Sequence, residues 1–223
     1  MTDAIAITVN AAHIDAALCA VSKEETRHYL QGVFIDARGF IAATNGHIAF
    51  AARCPDAIKT ADCRPAYSSD ALAGIIVPHA ALTQAGKAAG KSKGLTMDIE
   101  RDTLGQWWLT YGNARVHFAP IDGTFPDWSR IIPEAPETET AAHYQPQYIA
   151  ALGNMAKALR DNRKGDATAF HLHQNAGNPA LVTFPRKADK AEDVGPRTDC
   201  CAVLMPMRSD GNAGFSRDAF LAA

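Results

Sequence analysis

The first indication of the fold is the stretch Ile5-Ala6-Ile7-Thr8-Val9, whose side chains alternate as in a β-strand with one buried face. Asn10 follows, and asparagine is a favourable residue at the start of a helix. The next apolar residues recur at the spacing of one helix face: Ile14, Ala17, Leu18 and Val21. This opening predicts a strand that leads directly into a helix.

The same plan repeats further along the chain. Strands are predicted after the first helix at residues 33–35, 40–43 and 48–51, with a hairpin loop at 36–39. A second unit has a strand at 75–77, a helix from Pro78 to about Lys91, and strands at 95–100, 106–111 and 114–118. A third has a strand at 140–144, a helix from Pro146, and strands at 169–173, 180–184 and 200–205. Three such units predict an α+β protein with helices on one face of its sheets.

The repeat also predicts the domain organisation. Residues 1–133 form one domain of two units, at about 1–55 and 72–133, and residues 134–208 form a third unit, which is half a domain. Residues 54–71 are expected to be a connector and residues 185–199 a long loop. Residues 209–223 are expected to be a flexible tail.

Composition excludes several classes of protein. The chain has 223 residues, of which 47% are hydrophobic and 21% charged, and nothing approaches the roughly 18 consecutive apolar residues of a membrane helix. The N-terminus lacks the pattern of a signal peptide, so we expect a cytoplasmic protein. Five cysteines without a CxxC pair indicate neither a zinc site nor a disulfide framework, and no metal or other cofactor is expected. The formal net charge of −2 means that any DNA contact must come from a local basic surface.

One stretch approximates a nucleotide-binding P-loop, Ala85-Gly86-Lys87-Ala88-Ala89-Gly90-Lys91-Ser92, with Ala85 where the first glycine belongs. A P-loop must turn directly from a buried strand into a helix, whereas a helix is predicted to separate this stretch from the strand at 75–77. Asp122 with Asp127, and His171 with His173, lack partners for acid–base or nucleophilic chemistry. No catalytic residue is therefore predicted, and a small P-loop NTPase is kept as a distant alternative.

Four segments resemble the bacterial sliding clamp, the beta subunit of DNA polymerase III. They occur in the family's order and span most of the chain: Ser22 to Val33, Ala43-Thr44-Asn45-Gly46-His47-Ile48-Ala49, Asp122 to Pro133, and Val203-Leu204-Met205-Pro206-Met207-Arg208. The chain departs from the family pattern at Asn45, at Ile48-Ala49, and in its tail beyond Arg208. The resemblance implies a DNA-clamp fold in a shortened form, with three βαβββ-type units, helices on the inner face and antiparallel sheets on the other.

The resemblance also implies a hydrophobic cleft that takes short peptides from a DNA polymerase, the clamp loader and other replication or repair proteins. It assigns the cleft to these residues: Leu30, Thr44, Gly46, His47, Pro133, Val203, Met205, Pro206, Met207 and Arg208. Methionine suits a surface that accepts several partners, because its side chain is unbranched and polarizable. Without the other three segments, residues 203–207 would be interpreted as an ordinary core strand.

Basic residues on and near the predicted helices form the second group implied by the resemblance. In the family such helices line a central hole and face the phosphates of duplex DNA without reading bases. The candidate DNA-facing residues are Lys23, Arg27, Lys87, Lys91, Lys93, Lys157, Arg160, Arg163 and Lys164. A solvated charged surface is the alternative explanation for the same residues.

The expected function is that of a non-catalytic sliding clamp, a processivity factor that encircles double-stranded DNA and tethers a polymerase. The alternative is a clamp-fold adaptor or inhibitor that binds clamp-seeking peptides without encircling DNA. Three units per chain leave one half-domain with an unpaired sheet edge, which favours association. A homo-oligomer is therefore expected, a closed tetrameric ring of twelve units first and a dimer second.

Overall fold

The computed structural model describes the chain in six ranges: residues 5–54, 74–133, 142–159, 169–175, 177–186 and 195–207. The greater part of the predicted connector at 54–71 and the predicted tail at 209–223 lie outside these ranges. Within the described residues, no helix is both long enough and apolar enough to cross a membrane.

The first unit has the predicted order of one strand, one helix and three strands. Its elements are β1 (Ile5–Asn10), α1 (Ala11–Leu18), β2 (Gly32–Asp36), β3 (Phe40–Thr44) and β4 (Ile48–Arg53). Asn10 caps α1 as predicted, because its side-chain oxygen accepts hydrogen bonds from the backbone N–H groups of Ala12 at 2.8 Å and His13 at 3.4 Å.

The first helix is shorter than predicted. It ends at Leu18, where the N–H groups of Cys19 and Ala20 bond to carbonyl groups three residues back and tighten the last turn. Lys23 and Arg27, two of the basic residues predicted to lie on or near the helices, follow α1; Arg27 lies within a 3₁₀ helix, Glu25–Leu30.

The second unit repeats the first. Its elements are β5 (Gly74–Pro78), α2 (His79–Ala89), β6 (Thr96–Arg101), β7 (Trp107–Tyr111) and β8 (Ala114–Phe118). The helix ends two residues before the predicted Lys91, because Gly90 takes a positive φ of 53° that favours glycine.

The third unit is less regular. Its elements are α3 (Pro146–Ala158), β9 (His171–His173), β10 (Ala180–Thr183), β11 (Pro185–Arg186), β12 (Gly195–Pro196) and β13 (Cys200–Leu204). The stretch predicted to be one long loop, 185–199, contains β11 and β12, which pair with each other. The predicted strand at 140–144 is represented, among its described residues, by a single bridge between His143 and Met207.

The first two units exchange their first strands. β1 pairs with β6 of the second unit and places Val9 opposite Met97, while β5 pairs with β2 of the first unit and places Val77 opposite Val33. All these ladders are antiparallel. The predicted α+β class with antiparallel sheets is therefore confirmed, and the exchange makes the two units one structure.

The third unit joins the first through its last strand. β13 pairs with β4, from Leu204 opposite Ile48 to Cys200 opposite Ala52, so a seven-stranded sheet runs in the order β5-β2-β3-β4-β13-β10-β9. The other large sheet has the order β1-β6-β7-β8. Helix α1 packs against α3 as well as against strands of both sheets. The predicted domain boundary near residue 133 stays a prediction.

Two apolar clusters hold the fold together. The larger one fills the space between the helices and the inward faces of the sheets, and it includes Ile14, Phe50, Leu82, Ile99 and Leu152. The smaller one lies on the other face of the seven-stranded sheet. It consists of Leu30, Phe34, Ala42, Ala51, Ile76, Phe125 and Trp128. Because all five residues of β2 are buried, this strand serves both clusters.

Candidate binding pocket

A mostly apolar pocket of about 260 Å³ lies beside the smaller cluster, at the junction of the first and third units. Three separate parts of the chain line it. The first unit provides Arg27, Tyr29, Leu30, Thr44, Gly46, His47, Ile48 and Ala49; the segment after β8 provides Pro126, Asp127, Trp128 and Ile131; the third unit provides Val203 and Met205. A cavity of this kind, apolar with a few polar groups, suits an apolar ligand anchor.

One edge of the pocket is the turn between β3 and β4. The Asn45 side-chain oxygen accepts hydrogen bonds from the N–H groups of His47 at 3.0 Å and Ile48 at 3.1 Å. The Thr44 hydroxyl donates to the Ile48 carbonyl at 2.9 Å and accepts from the Gly46 N–H at 3.0 Å. Gly46 has a φ of 89°, a backbone conformation that favours glycine, and an added Cβ would lie 3.0 Å from the flexible end of the Arg27 side chain. Asparagine at position 45 therefore holds the turn that presents His47.

The opposite wall is Trp128, which is 6% exposed. Its indole N–H donates to Asp36 at 3.0 Å. The Asp36 carboxylate is fully buried and also accepts from the Arg38 guanidinium at 2.7 to 3.1 Å. A buried carboxylate needs such partners, because an unpaired one is costly. The indole ring is thus fixed in place by a buried charged group that is not itself part of the pocket lining.

The segment before Trp128 is fitted closely to the first unit. The Asp122 carbonyl lies 3.1 Å from His28 Nε2, and Phe125 stacks on Phe34 with ring centroids 4.8 Å apart. A Cβ on Gly123 would come within 2.8 Å of the Tyr29 Cβ, so the backbones meet there only because residue 123 is glycine. This fit places Tyr29 and Pro126 on the same pocket.

The third side comes from the end of β13. The Met205 N–H donates to the His47 carbonyl at 2.9 Å, which continues the β4–β13 pairing past Leu204. The His47 ring stacks on Tyr148 of α3, with centroids 5.3 Å apart. The pocket therefore exists only while the third unit is joined to the first.

The structure brings together six of the ten residues predicted for the cleft: Leu30, Thr44, Gly46, His47, Val203 and Met205. Pro133 and Pro206 are half-buried but do not line the pocket. Met207 is 46% exposed, its N–H donates to the His143 carbonyl at 2.7 Å, and it is not among the lining residues. Pro133, Pro206 and Met207 therefore stay predicted cleft residues that do not line this pocket, and Arg208 lies outside the described residues.

Sequence reasoning missed several lining residues: Tyr29, Ile48, Ala49, Pro126, Asp127, Trp128 and Ile131. Each lies within or beside a segment that carried the family resemblance. The alternation of β4 was the available signal for Ala49, since Ile48, Phe50 and Ala52 belong to the larger cluster and the residues between them face the other way. Arg27, predicted to face DNA, lies at the pocket.

The other predicted DNA-facing residues that are described have exposed side chains. Lys87 lies on α2 and Lys157 on α3, while Lys91 and Lys93 follow α2 and Lys23 follows α1. Arg160, Arg163 and Lys164 lie outside the described residues. The role of the whole group stays a prediction.

The P-loop hypothesis is wrong. Residues 85–89 lie inside α2, where their backbone N–H groups belong to the helix, and the strand β5 turns into this helix at Pro78. No glycine-rich loop separates the strand from the helix, so nothing in this stretch can cradle a phosphate as a P-loop does.

A cluster of His13, Asp199 and Cys200 lies at the opposite side of the β4–β13 junction. The carboxylate of Asp199 accepts from Arg197 through both oxygens, each at 3.0 Å, and lies 3.1 Å from His13 Nε2. These contacts, with His13 first, lower the pKa of Asp199, whereas burial raises the pKa of Cys200 to about 12. A protonated thiol and a carboxylate already held by arginine favour a structural junction over a metal or nucleophile site.

Comparisons with known proteins point to one family. No family model matches the chain. It is 29% identical over 127 residues to the beta sliding clamp of Caulobacter vibrioides, and these residues are 54% of this chain and 31% of that protein. The chain thus spans about a third of the length of the curated relatives it matches.

Solved structures show the same fold over nearly the whole chain. The DnaN sliding clamp of Bartonella birtlesii, bound to griselimycin, has a TM-score of 0.59 and 16% identity, covering 92% of this chain and 66% of that one. The DNA polymerase III beta subunit of Thermotoga maritima has a TM-score of 0.60 and 12% identity, covering 94% of this chain and 67% of that one. The predicted DNA-clamp fold is therefore confirmed.

Proposed function

We propose, from the clamp fold and the partial sequence similarity to bacterial beta sliding clamps, that this chain is a non-catalytic processivity factor. In this proposal it encircles duplex DNA in the cytoplasm and tethers a DNA polymerase through a short peptide. The observation that carries the proposal is the apolar pocket built from three distant parts of a clamp fold.

The pocket suits the apolar side chains of a short peptide. Leu30, Val203 and Met205 offer aliphatic and thioether surface, and the Trp128 ring forms a rigid wall. Arg27 and Asp127 are exposed groups of opposite charge on the same pocket, which can orient the peptide backbone or its polar residues. Clamp loader and polymerase peptides are the proposed ligands.

The proposed contact with DNA is electrostatic and independent of sequence. Lys87 is exposed on α2 and Lys157 on α3. Lys91 and Lys93, which follow α2, are also exposed and extend the basic surface beside Lys87. The formal net charge of −2 requires such a local basic surface. Weak phosphate contacts permit movement along the duplex, whereas base-specific contacts would stop it.

A ring is proposed to require several chains. A closed ring of four chains is proposed first and a dimer second. Among the described residues, the outer strands of the two large sheets pair on one side only, which supports association.

Substitution in the pocket tests the peptide-binding proposal. Met205→Ala should weaken binding of a labelled clamp-binding peptide from a bacterial DNA polymerase by about fivefold or more, because truncating an apolar anchor typically costs about 1 kcal/mol or more. Fluorescence anisotropy titration measures the change. Met207→Ala is the matched control and should change the affinity much less, since Met207 does not line the pocket. Equal affinities for the Met205 variant and the unmodified chain would refute the pocket as the ligand site.

A further inference from the structure

The pocket lies on the face of the seven-stranded sheet that is opposite the larger cluster. In the first unit the segment after β8 covers this face: Phe125 stacks on Phe34, and the ring centroids of Trp128 and Phe40 are 5.2 Å apart. In the third unit the same face is formed by alternate residues of β13, β10 and β9. Its side chains are those of Cys201, Val203, Leu181, Thr183, His171 and His173.

Two rows of side chains cross this part of the face. Leu181 lies opposite Val203 on one side and opposite His173 on the other, so the first row runs from the pocket lining to β9. Thr183 lies opposite His171 in the second row. Val203 is buried at the pocket, whereas Leu181, Thr183 and His173 are half-buried and His171 is exposed. Solvent therefore reaches the side chains that lie beyond the pocket on this face.

A second, smaller cavity continues the pocket along β13. It shares Ala49, Trp128, Ile131 and Val203 with the pocket, and its lining also includes Cys201. Because the two cavities have these walls in common, they form one groove. A ligand chain with an apolar anchor in the pocket can follow this groove to the edge of β10.

A pair of histidines forms the far end of the face. The rings of His171 and His173 have centroids 5.1 Å apart, and Nε2 of His173 lies 3.1 Å from the hydroxyl oxygen of Thr183, which orients the pair. An imidazole has at least one N–H donor in either protonation state, whereas a carboxylate only accepts. None of the side chains that form this face in β13, β10 and β9 is acidic. The pair therefore suits a carboxylate that a ligand brings.

We propose that the peptide in the pocket continues across this face and places an acidic side chain on the pair of His171 and His173. β9 lies two strand spacings from β13, roughly 10 Å, because neighbouring strands are about 4.8 Å apart. An extended chain advances about 3.3 Å per residue, so the acidic residue lies about three positions from the apolar anchor. The inference rests on the proposed peptide binding and deepens it, since it names the chemistry that the ligand carries beside its anchor.

A set of peptides tests both the charge and the spacing. Each is the labelled polymerase peptide with both ends blocked, extended by alanines that include one glutamate or, as its reference, one glutamine. The substituted position moves stepwise away from the anchor, on one side and then on the other. Fluorescence anisotropy should show that glutamate about three positions from the anchor, on one side, binds about threefold or more tightly than glutamine. Glutamate at the other positions should differ little from glutamine.

Substitution of the exposed histidine tests where the carboxylate binds. In His171→Ala the ratio of the glutamate and glutamine affinities should fall to about one, and in His171→Glu glutamate should bind more weakly than glutamine, because like charges repel. His117→Ala is the matched control and should keep the full ratio, since His117 is an exposed histidine on β8 of the other large sheet. Each variant provides its own reference through the glutamine peptide.

The possible outcomes separate this inference from the pocket itself. Equal affinities for glutamate and glutamine at every position, or a glutamate preference that persists in His171→Ala, would overturn the inference and leave the pocket as the anchor site. Failure of every peptide, including the unextended one, to bind the unmodified chain would refute the pocket as a peptide site, and this inference with it.

Discussion

At the scale of single residues, a buried carboxylate holds the pocket wall. Asp36 has no exposed surface, and it accepts hydrogen bonds from Arg38 and from the indole of Trp128. Arg38 also lies over the Trp128 ring, 5.4 Å from the centroid. Removal of one hydrogen-bond partner leaves the Asp36 charge where water cannot reach it. These hydrogen bonds therefore contribute more to the free energy of unfolding than the same bonds would at an exposed site.

Trp128→Phe should therefore lower the free energy of unfolding by about 1 to 3 kcal/mol, because the buried carboxylate loses a hydrogen bond while most of the ring volume remains. Urea denaturation measures the change. Trp108→Phe is the matched control: its indole also donates to a carboxylate, that of Asp102 at 3.1 Å, but at a less buried site. Trp108→Phe should lower the free energy of unfolding by less than Trp128→Phe. Equal decreases would show that the burial of Asp36 is not the cause.

At the scale of elements, one ion-pair cluster ties two helices to a strand. His13 comes from α1 and Asp199 precedes β13, while Arg197 donates to the carbonyl of Leu159 at the end of α3 at 2.8 Å. The Asp199 carbonyl also accepts from the Arg53 N–H at 2.7 Å. The cluster lies where the third unit joins the first, so it supports the same junction that forms the pocket.

Asp199→Asn should destabilise the chain at neutral pH, and the deficit should shrink as the pH falls below about 4, the ordinary pKa of aspartate. The pKa of Asp199 is lowered in the folded protein, chiefly by His13 and then by Arg197. A lowered folded pKa gives stability that is present above the unfolded pKa and lost as the pH falls toward the folded one. The urea midpoints of Asp199→Asn and of the unmodified chain, each at pH 7 and at about pH 3, measure how their difference in stability depends on pH.

Glu24→Gln is the control for this prediction, since Glu24 pairs with Arg27 at 3.6 Å with both side chains about half exposed. Exposed pairs contribute little, so this variant should differ little from the unmodified chain at either pH. A deficit for Asp199→Asn that stays constant or grows on acidification would show that the charge of Asp199 is not what stabilises the junction.

At the scale of the whole molecule, the question is whether assembled chains enclose DNA. We expect the assembly to stay on closed circular duplex and to leave when the circle is cut, because enclosure and not affinity would retain it. Filtration of protein–DNA mixtures before and after cutting measures retention. Equal retention on both forms would indicate binding without enclosure, and retention on neither would favour an adaptor that binds peptides alone.

The helix lysines should contribute to this binding without sequence preference. The double variant Lys87→Ala with Lys157→Ala should bind DNA more weakly and show a shallower salt dependence, since each lost phosphate contact lowers the slope by about one. Arg115→Ala is the control, because this exposed cation lies on the outward side of β8, where it pairs with Glu100. A preferred base sequence in footprinting would contradict the proposed mode of contact.

The sequence by itself determined the local structure of this protein. The alternation at residues 5–9, the cap at Asn10 and the helix start at Pro146 all depend on residues close together in the chain, so periodicity and capping were enough to predict them. The repeated plan predicted the α+β class for the same reason. The early end of α1 was not predicted, although the hydrogen bonds that close its last turn are also local.

Only the tertiary structure decided how the units join and which residues share the pocket. The exchange of β1 and β5 and the pairing of β4 with β13 bring together residues that are far apart in the chain, and no local pattern encodes such partners. Trp128 shows why: its place in the wall depends on a carboxylate 92 positions earlier in the chain. Met207, two residues beyond Met205, instead pairs with His143, because the backbone hydrogen bonds of the third unit direct it there.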